Sequence, residues 1–407
     1  MKFPKYIPRP KYTEKIKNFL GNGLITILTG QRRVGKSYII YQLIDDIQSK
    51  NPDADIIYIN KEEFEYDHIK NYQDLHKYCV NKKKSNFTYL FIDEIQDIHE
   101  FEKTLRSFLL HEEWEIVCTG SNANLLSGEL ATYLSGRYIE IRVFPLNYPE
   151  YLNFYHQEHN EKAFYSYLKT GGMPHLSKLP KSNNIIREYL RNVLNTIILK
   201  DLVVRYNIRS INFLHDLIRY LADTIGSLLS SKRISDYLKS QKINVSPRLV
   251  LEYLNYLESV YFVNRVKRKD IRGRKIFEIG EKVYFEDLGL RYSLIPYQIG
   301  NISQCLENII YQHLRIAGYT VWVGWDKDKE IDFIAEKDNN TLYIQVAYMI
   351  IDQNTHEREF GNLLAIPDAH TKIVLSMDKG TQTNYKGVKH FYLPDFLLNL
   401  ENDSFLI

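Results

Sequence analysis

Eight residues early in the chain, Gly30-Gln31-Arg32-Arg33-Val34-Gly35-Lys36-Ser37, fit the spacing G-x-x-x-x-G-K-S/T. That pattern cradles phosphate. Its glycines let the backbone turn tightly, so successive N–H groups point at phosphate oxygens. The N-terminus of a following helix adds about half a positive charge at the same place. Lys36 has the reach for β- and γ-phosphates, and Ser37 the hydroxyl for Mg2+. Gly30, Arg33, Val34, Gly35, Lys36, Ser37 and Tyr38 are therefore the expected ATP-binding residues. Further on, Tyr89-Leu90-Phe91-Ile92-Asp93-Glu94 ends an apolar run in two carboxylates. Asp93 is placed to hold Mg2+, directly or through water, and Glu94 to polarise an attacking water as general base. Glu115 to Asn122 repeats the pattern with small polar residues at its end. Asn122, with Ser121 or Thr119 as alternatives, is the candidate to contact the γ-phosphate or the water. Arg137 is the candidate charge-stabilising finger, in cis or toward a neighbouring subunit, or else a surface arginine.

Each of these loops needs a strand ahead of it. Leu24-Ile25-Thr26-Ile27-Leu28 reads as the strand that delivers the glycine loop. Tyr38 to Ile44, with apolar residues spaced i, i+1, i+4, i+5, opens the helix after it. Asp55 to Asn60 is a second strand. The uninterrupted run before Asp93 suits a strand buried on both faces of a parallel sheet, with its carboxylates at the carboxyl end, where such sheets bind ligands. Ala123 to Leu134 reads as a helix and Tyr138 to Phe144 as a fifth strand. This alternation predicts a parallel α/β core ending at Pro145-Leu146-Asn147-Tyr148. The expected domains are a P-loop ATPase core over 1–147, a helical lid over 148–207, a winged helix over 208–292 and a nuclease-like α/β domain over 293–407.

The lid carries Arg187, Arg191 and Arg205 as phosphate-sensing candidates, and is broken at Gly171-Gly172-Met173-Pro174. Three helices follow. The third opens at Ser246-Pro247, with Ser246 a plausible N-cap and Pro247 at the first helical position. Arg265 to Lys275, with seven basic residues and one acid, reads as a hairpin turning near Arg272-Gly273. Three helices and a basic hairpin make a winged helix-turn-helix, which predicts DNA contact or protein docking. Beyond it, Glu307, Asp332 and Gln345 match the carboxylate constellation of restriction-type nucleases, whose acids bind divalent metal and whose lysine helps activate water. Ala347 stands where that lysine is expected and Gln345 is a weaker ligand, so the fold is read as kept for binding or docking.

The bulk numbers are consistent with this division. A chain of 407 residues is long enough for two to four domains. Its net charge of +3 makes no global case for nucleic acid, so any basic site must be local. The three cysteines, Cys79, Cys118 and Cys305, are far apart and suit a reducing, cytoplasmic setting. Met1 to Lys5 lacks the apolar core of a signal peptide, and no apolar run approaches the ~18–20 residues of a membrane-spanning helix.

On these motifs, the chain resembles the prokaryotic AAA+/STAND-like ATPases in which a P-loop domain precedes a winged helix and a C-terminal nuclease-like domain of unknown function. The matching residues are Gly30 to Ser37, Leu90 to Glu94, Thr119 to Asn122, Ser135 to Arg137, Pro145 to Tyr148, Gly171 to Pro174, Lys275 to Leu290 and Glu330 to Val346. The resemblance spans nearly the whole chain and implies an ATP-hydrolysing regulatory switch using ATP and Mg2+. The expected partners are ATP, DNA through the Arg265–Lys275 hairpin or a protein, and no membrane. The other readings are an ATP-gated DNA- or protein-binding module with negligible turnover, and an ATP-linked nuclease, against which Ala347 counts.

Overall fold

The computed structural model describes residues 3–123, 134, 136–273, 276–296, 299–327, 329–379 and 384–402. The chain falls into two compact units: Met1–Phe144 with Ser259–Tyr261, and Pro145–Glu258 with Phe262–Ile407. The helix expected at Ala123 to Leu134 falls on 124–133, outside the described residues, as do Ser135, Arg274 and Lys275.

The first unit runs α1 (Pro10–Lys17), β1 (Ile25–Thr29), α2 (Lys36–Lys50), β2 (Asp55–Asn60), α3 (Tyr72–Lys82), β3 (Thr88–Asp93), α4 (Phe101–Phe108), β4 (Trp114–Gly120) and β5 (Tyr138–Arg142). The five strands are all parallel, in the order β2-β3-β4-β1-β5. Every residue of β1 and of β4 is buried, which is why these strands read as continuous apolar runs. Successive strand residues face opposite layers. Ile27, Leu90, Ile92 and Ile116 enter one core, with Leu75 of α3 and Leu105 of α4. Leu28, Phe91 and Val117 enter the other, with Ile39, Ile40 and Leu43 of α2. Local signals set the helix starts. Pro10 begins α1, and the Asn71 side chain accepts hydrogen bonds from the N–H groups of Gln73 and Asp74 at the start of α3.

The second unit opens with helices α5 (Tyr148–Tyr155), α6 (Glu161–Thr170), α7 (Asn183–Thr196) and, past a π-helical stretch at Ile197–Val204, α8 (Ile211–Asp223). Then come β6 (Leu228–Leu229), α9 (Ser231–Ser240), α10 (Pro247–Ser259), β7 (Val263–Asp270), β8 (Ile276–Phe285), α11 (Leu288–Leu294) and α12 (Ile302–Ile316). The last part is β9 (Thr320–Asp326), β10 (Lys329–Lys337), β11 (Asn340–Val346), α13 (Gln353–Leu364), β12 (Thr371–Ser376), β13 (Asn384–Tyr385), β14 (Val388–Tyr392) and α14 (Leu393–Asn399). Ser246 Oγ accepts from Leu249 N–H at 3.2 Å, so the start of α10 is capped as its sequence implies. The hairpin β7–β8 is not a separate wing. Arg268, Lys269 and Asp270 of β7 pair in parallel with Val323, Gly324 and Trp325 of β9. One mixed sheet of nine strands results, in the order β13-β14-β12-β11-β10-β9-β7-β8-β6.

Asp287 ties the helical part of this unit to the sheet part. It caps α11 by accepting from Leu290 N–H at 3.0 Å and also accepts from Gly172 N–H at 2.7 Å. Gly171 has φ 72°, and a Cβ there would lie 2.3 Å from Asp287 Oδ1. Burial pushes the Asp287 carboxyl up to about 6, against backbone hydrogen bonds from Gly172, Leu290 and Gly289 that pull it down. Asp287→Ala loses a cap and orphans a buried N–H, so we expect a loss of about 2–4 kcal/mol, and less for Asp287→Asn, which keeps an acceptor oxygen. A raised carboxyl pKa gives stability at low pH that disappears as the group ionises. The advantage of wild type over Asp287→Asn should therefore shrink as pH rises from about 4 to about 6. Urea unfolding followed through Trp322 and Trp325, both in this unit, measures it.

Candidate functional site

The glycine loop leaves β1 at Thr29 and turns at once. Gly30 has φ 141°, and a Cβ on it would lie 2.1 Å from the Val143 carbonyl oxygen. Arg33 at φ 71° and Gly35 at φ 98° continue the turn through left-handed backbone, and Gly35 is the N-cap of α2. Lys36 is buried, and its Nζ donates to the carbonyls of Gly30 at 2.9 Å and Gln31 at 3.1 Å, so the ammonium curls over the loop. Val34 is buried beneath the loop with Ile39 and Ile40, whereas Arg33 is exposed and Tyr38 half-buried.

The carboxylates stand at the carboxyl end of β3. Because β4 lies between β3 and β1 in the sheet, the end of β4 reaches both loops. Asp93 is 2% exposed and accepts a hydrogen bond from the Thr119 hydroxyl, and the nearby Ser37 hydroxyl favours its ionised form. Burial pushes its pKa up to about 6, and those two hydroxyls oppose the rise. Thr119 Oγ1 also accepts from the Glu94 N–H at 3.0 Å, so one hydroxyl joins both acidic residues. Glu94 sits at φ 56° and receives a hydrogen bond from the Gln96 side chain. Of the three polar candidates at the end of β4, Thr119 is the one seen bridging. Asn122 is buried two residues beyond the strand, and Ser121 Oγ is buried with no hydrogen-bond partner among the described residues. An alcohol and a carboxylate side by side are oxygen donors, the set that Mg2+ prefers, so Ser37 and Asp93 fit this ion.

Arg137 is not brought to this site within the unit. It is exposed and precedes β5, its carbonyl accepting from Ile25 N–H at 3.0 Å at the amino end of β1. The glycine loop is at the other end, where Thr29 pairs with Arg142. Five strand residues at ~3.3 Å each separate the two by ~16 Å, which removes a finger acting in cis through this strand. Of two arginines not singled out from the sequence, Arg9 braces the loop and Arg142 packs near its end. Arg9 is buried, with Nη1 donating to the Val34 carbonyl at 3.0 Å and to that of Phe144 at 3.1 Å, while its N–H donates to Gln42 Oε1 at 2.8 Å. The Arg142 guanidinium lies over the rings of Phe144 and Tyr261, 4.8 and 4.6 Å from their centroids. The one available signal was an arginine held between two prolines in Pro8-Arg9-Pro10.

In the second unit, the basic hairpin is largely engaged by acids and rings. Arg265 binds Glu258 Oε2 at 2.7 Å, Lys269 binds Glu336 Oε1 at 2.6 Å and Arg272 binds Asp326 Oδ1 at 2.5 Å. Arg268 lies 4.9 Å over the Trp325 ring. Lys267 is exposed, across the ladder from Glu281. Glu307, Asp332 and Gln345 do converge, with the Asp332 N–H donating to Gln345 Oε1 at 2.7 Å, and Lys282 of β8 stands among them.

Residues 22–152 match the model of an AAA domain (AAA_14), and residues 161–299 match a domain of unknown function (DUF8612). An uncharacterized protein of Haemophilus influenzae is 36% identical over 399 residues, covering 96% of this chain and 98% of that protein. An uncharacterized protein of Methanocaldococcus jannaschii is 30% identical, covering 88% of this chain and 83% of that protein. Among solved structures, the Walker-type ATPase of Pyrococcus abyssi aligns with TM-score 0.49 and 15% identity, over 71% of this chain and 96% of that one. The replication initiator DnaA bound to AMPPCP and single-stranded DNA aligns with TM-score 0.32 and 16% identity, over 61% and 86%. Among the described residues, no helix is long and apolar enough to cross a membrane.

The close approach at Gly30 is the most sensitive point of the loop. Gly30→Ala puts a Cβ against the Val143 carbonyl at φ 141°, where an L side chain is itself strained. The expected result is loss of fluorescent ATP-analogue binding by at least about tenfold, with a lowered unfolding midpoint for the first unit.

Proposed function

Since this chain belongs to the same family as its nearly full-length Haemophilus influenzae and Methanocaldococcus jannaschii relatives, and carries an AAA-type P-loop ATPase domain, we propose that it is a regulatory switch that binds ATP and hydrolyses it with Mg2+. The observation that carries this reading is the joining of the ends of β3 and β4 beside the glycine loop through one hydroxyl, Thr119 on both Asp93 and the Glu94 backbone, with Ser37 at the head of α2 near the same carboxylate. In the proposal, the turned backbone from Gly30 to Lys36 and the start of α2 hold the phosphates. Lys36 exchanges its two loop carbonyls for phosphate oxygens. Ser37 and Asp93 would hold Mg2+, which would supply charge neutralisation at the phosphates when bound. Glu94, its main chain fixed by Thr119, takes the proton of the attacking water.

Steady-state phosphate release tests it. Lys36→Ala should abolish release and ATP binding together. Glu94→Gln should keep binding and lower turnover by ~100-fold or more. Thr119→Val should lower turnover more than affinity, whereas Thr119→Ser should retain it. ATP binding with no Lys36-dependent release, with or without DNA, would leave the reading of an ATP-gated binding module.

For the target of the switch, we favour a protein over DNA. The reason is the hairpin: Arg265, Lys269 and Arg272 already have carboxylate partners, and a phosphate would have to displace them. Duplex binding followed by fluorescence anisotropy between about 50 and 200 mM salt should show a log–log slope shallower than about −2, equivalent to one or two phosphates. A steeper slope that collapses when Arg268, Lys269 and Arg272 are neutralised would return the assignment to DNA.

A further inference from the structure

The nuclease-like reading of the second unit implies a divalent metal held by Glu307, Asp332 and Gln345, and these residues do not fit that group. Lys282, from β8, is buried, and its Nζ stands 2.9 Å from Glu307 Oε2, 2.8 Å from Glu330 Oε1 and 3.6 Å from Asp332 Oδ1. We propose that Lys282 is the resident cation of this carboxylate site: a tethered ammonium in the position a metal would need, closing the site to metals and to metal-dependent cleavage of phosphodiesters.

Occupied space is the first argument. Mg2+ or Mn2+ binds carboxylate oxygens at about 2.0–2.2 Å. An ammonium 2.9 Å from Glu307 Oε2 and 3.6 Å from Asp332 Oδ1 competes for the space beside both groups. A metal seated there would displace the lysine head and leave a buried amine without its partners.

Protein donors also take up part of the remaining coordination capacity of the acids. Glu307 Oε2 accepts from the Tyr284 hydroxyl at 2.9 Å in addition to Lys282. Asp332 Oδ2 accepts from the Val346 N–H at 2.8 Å. Gln345 turns its oxygen to the Asp332 N–H at 2.7 Å and its amide nitrogen to Glu359 Oε2 at 3.2 Å, so it offers no oxygen inward. Among the described residues, no three His, Cys, Asp or Glu side chains are arranged to hold a metal. Although burial works against its charge, the surrounding carboxylates of Glu307, Asp332 and Glu330 hold Lys282 protonated, well above the usual lysine range.

The position of this lysine hides it from a motif search. The pattern looks two residues past Gln345 and finds Ala347, which is buried. The cation arrives instead from β8, ahead of the helix that carries Glu307. The network joins β8, α12 and β10, so its role is that of an ionic strut in the second unit.

Titration of nucleotide-free protein with Mn2+, read by electron paramagnetic resonance, tests the proposal. Wild type and Asp332→Asn should give the same titration, with no Asp332-dependent Mn2+ tighter than about 1 mM. Lys282→Ala, which leaves three carboxylates facing one another, should gain one Mn2+ at least about tenfold tighter than that limit. Mn2+ should raise its unfolding midpoint, and adding Asp332→Asn should remove both effects. Lys282→Arg, which keeps the cation, should behave as wild type. Mn2+ bound by wild type and lost in Asp332→Asn would overturn the proposal, as would a folded Lys282→Ala that gains none. The comparison of wild type with Asp332→Asn decides the matter even if Lys282→Ala does not fold.

Discussion

A carboxylate that is 2% exposed must find hydrogen-bond donors inside the protein, and Asp93 finds hydroxyls on two other loops. This constraint organises the first unit. The hydroxyls are those of Ser37, at the head of α2, and Thr119, at the end of β4. They meet only because β4 is inserted between β1 and β3, so that the glycine loop and the acidic loop flank a third strand end instead of touching directly. The alternating cores on the two sheet faces hold those strand ends in register. Asp93 in turn is poised near neutrality, with its pKa at about 6. Burial favours the protonated acid and the two hydroxyls favour the anion. A cation arriving with nucleotide would add to the side of the anion.

The second unit solves the same problem at two other carboxylates, with different partners. Asp287 uses backbone N–H groups of a glycine turn and a helix start, so its role is to fix chain geometry. Glu307 and Asp332 share an ammonium, so their role depends on a side chain from a distant strand. Buried charge without a partner is costly enough that each group dictates its neighbours. Acidic residues of similar burial thus join strand ends in one unit, and fix a chain turn and an ionic cluster in the other. What separates them is whether the partner is a neutral hydroxyl, which leaves the negative charge for an incoming cation, or a cation already in place.

The sheet of the first unit could be read from the chain because a doubly buried strand writes itself as an apolar run. Ile25 to Leu28, Leu90 to Ile92 and Ile116 to Cys118 leave no other period to follow. Gly30 to Ser37 could be read because its chemistry is local. Thr119 was only one of three candidates, since the strand order that selects it is a long-range property. Arg9 braces the loop through backbone carbonyls and Arg142 lies over aromatic faces, contacts with no sequence spacing. Arg137 precedes β5 and so lies at the amino end of the parallel sheet, away from the glycine loop of its own unit. The basic run from Arg265 suggested a wing. Charge counting could not see Glu336 or Asp326 beside it, more than fifty residues away in sequence.

The first unit also draws in a short piece of chain from far along the sequence. Ser259–Tyr261 packs with the first unit, although the chain on either side of it, α10 and β7, belongs to the second. Tyr261 has φ 56°, and its carbonyl accepts from Gln31 Nε2, inside the glycine loop, at 2.9 Å. Its ring lies under Arg142, and its hydroxyl is 3.4 Å from Glu140, which also accepts from Thr29 at 2.6 Å. Gln31 also shares its carbonyl with Lys36 at 3.1 Å, so a lysine drawn toward phosphate releases one end of the residue that grips Tyr261 at the other. Tyr261 is thus a residue in left-handed backbone held by the phosphate loop, at the point where the chain passes from α10 to β7.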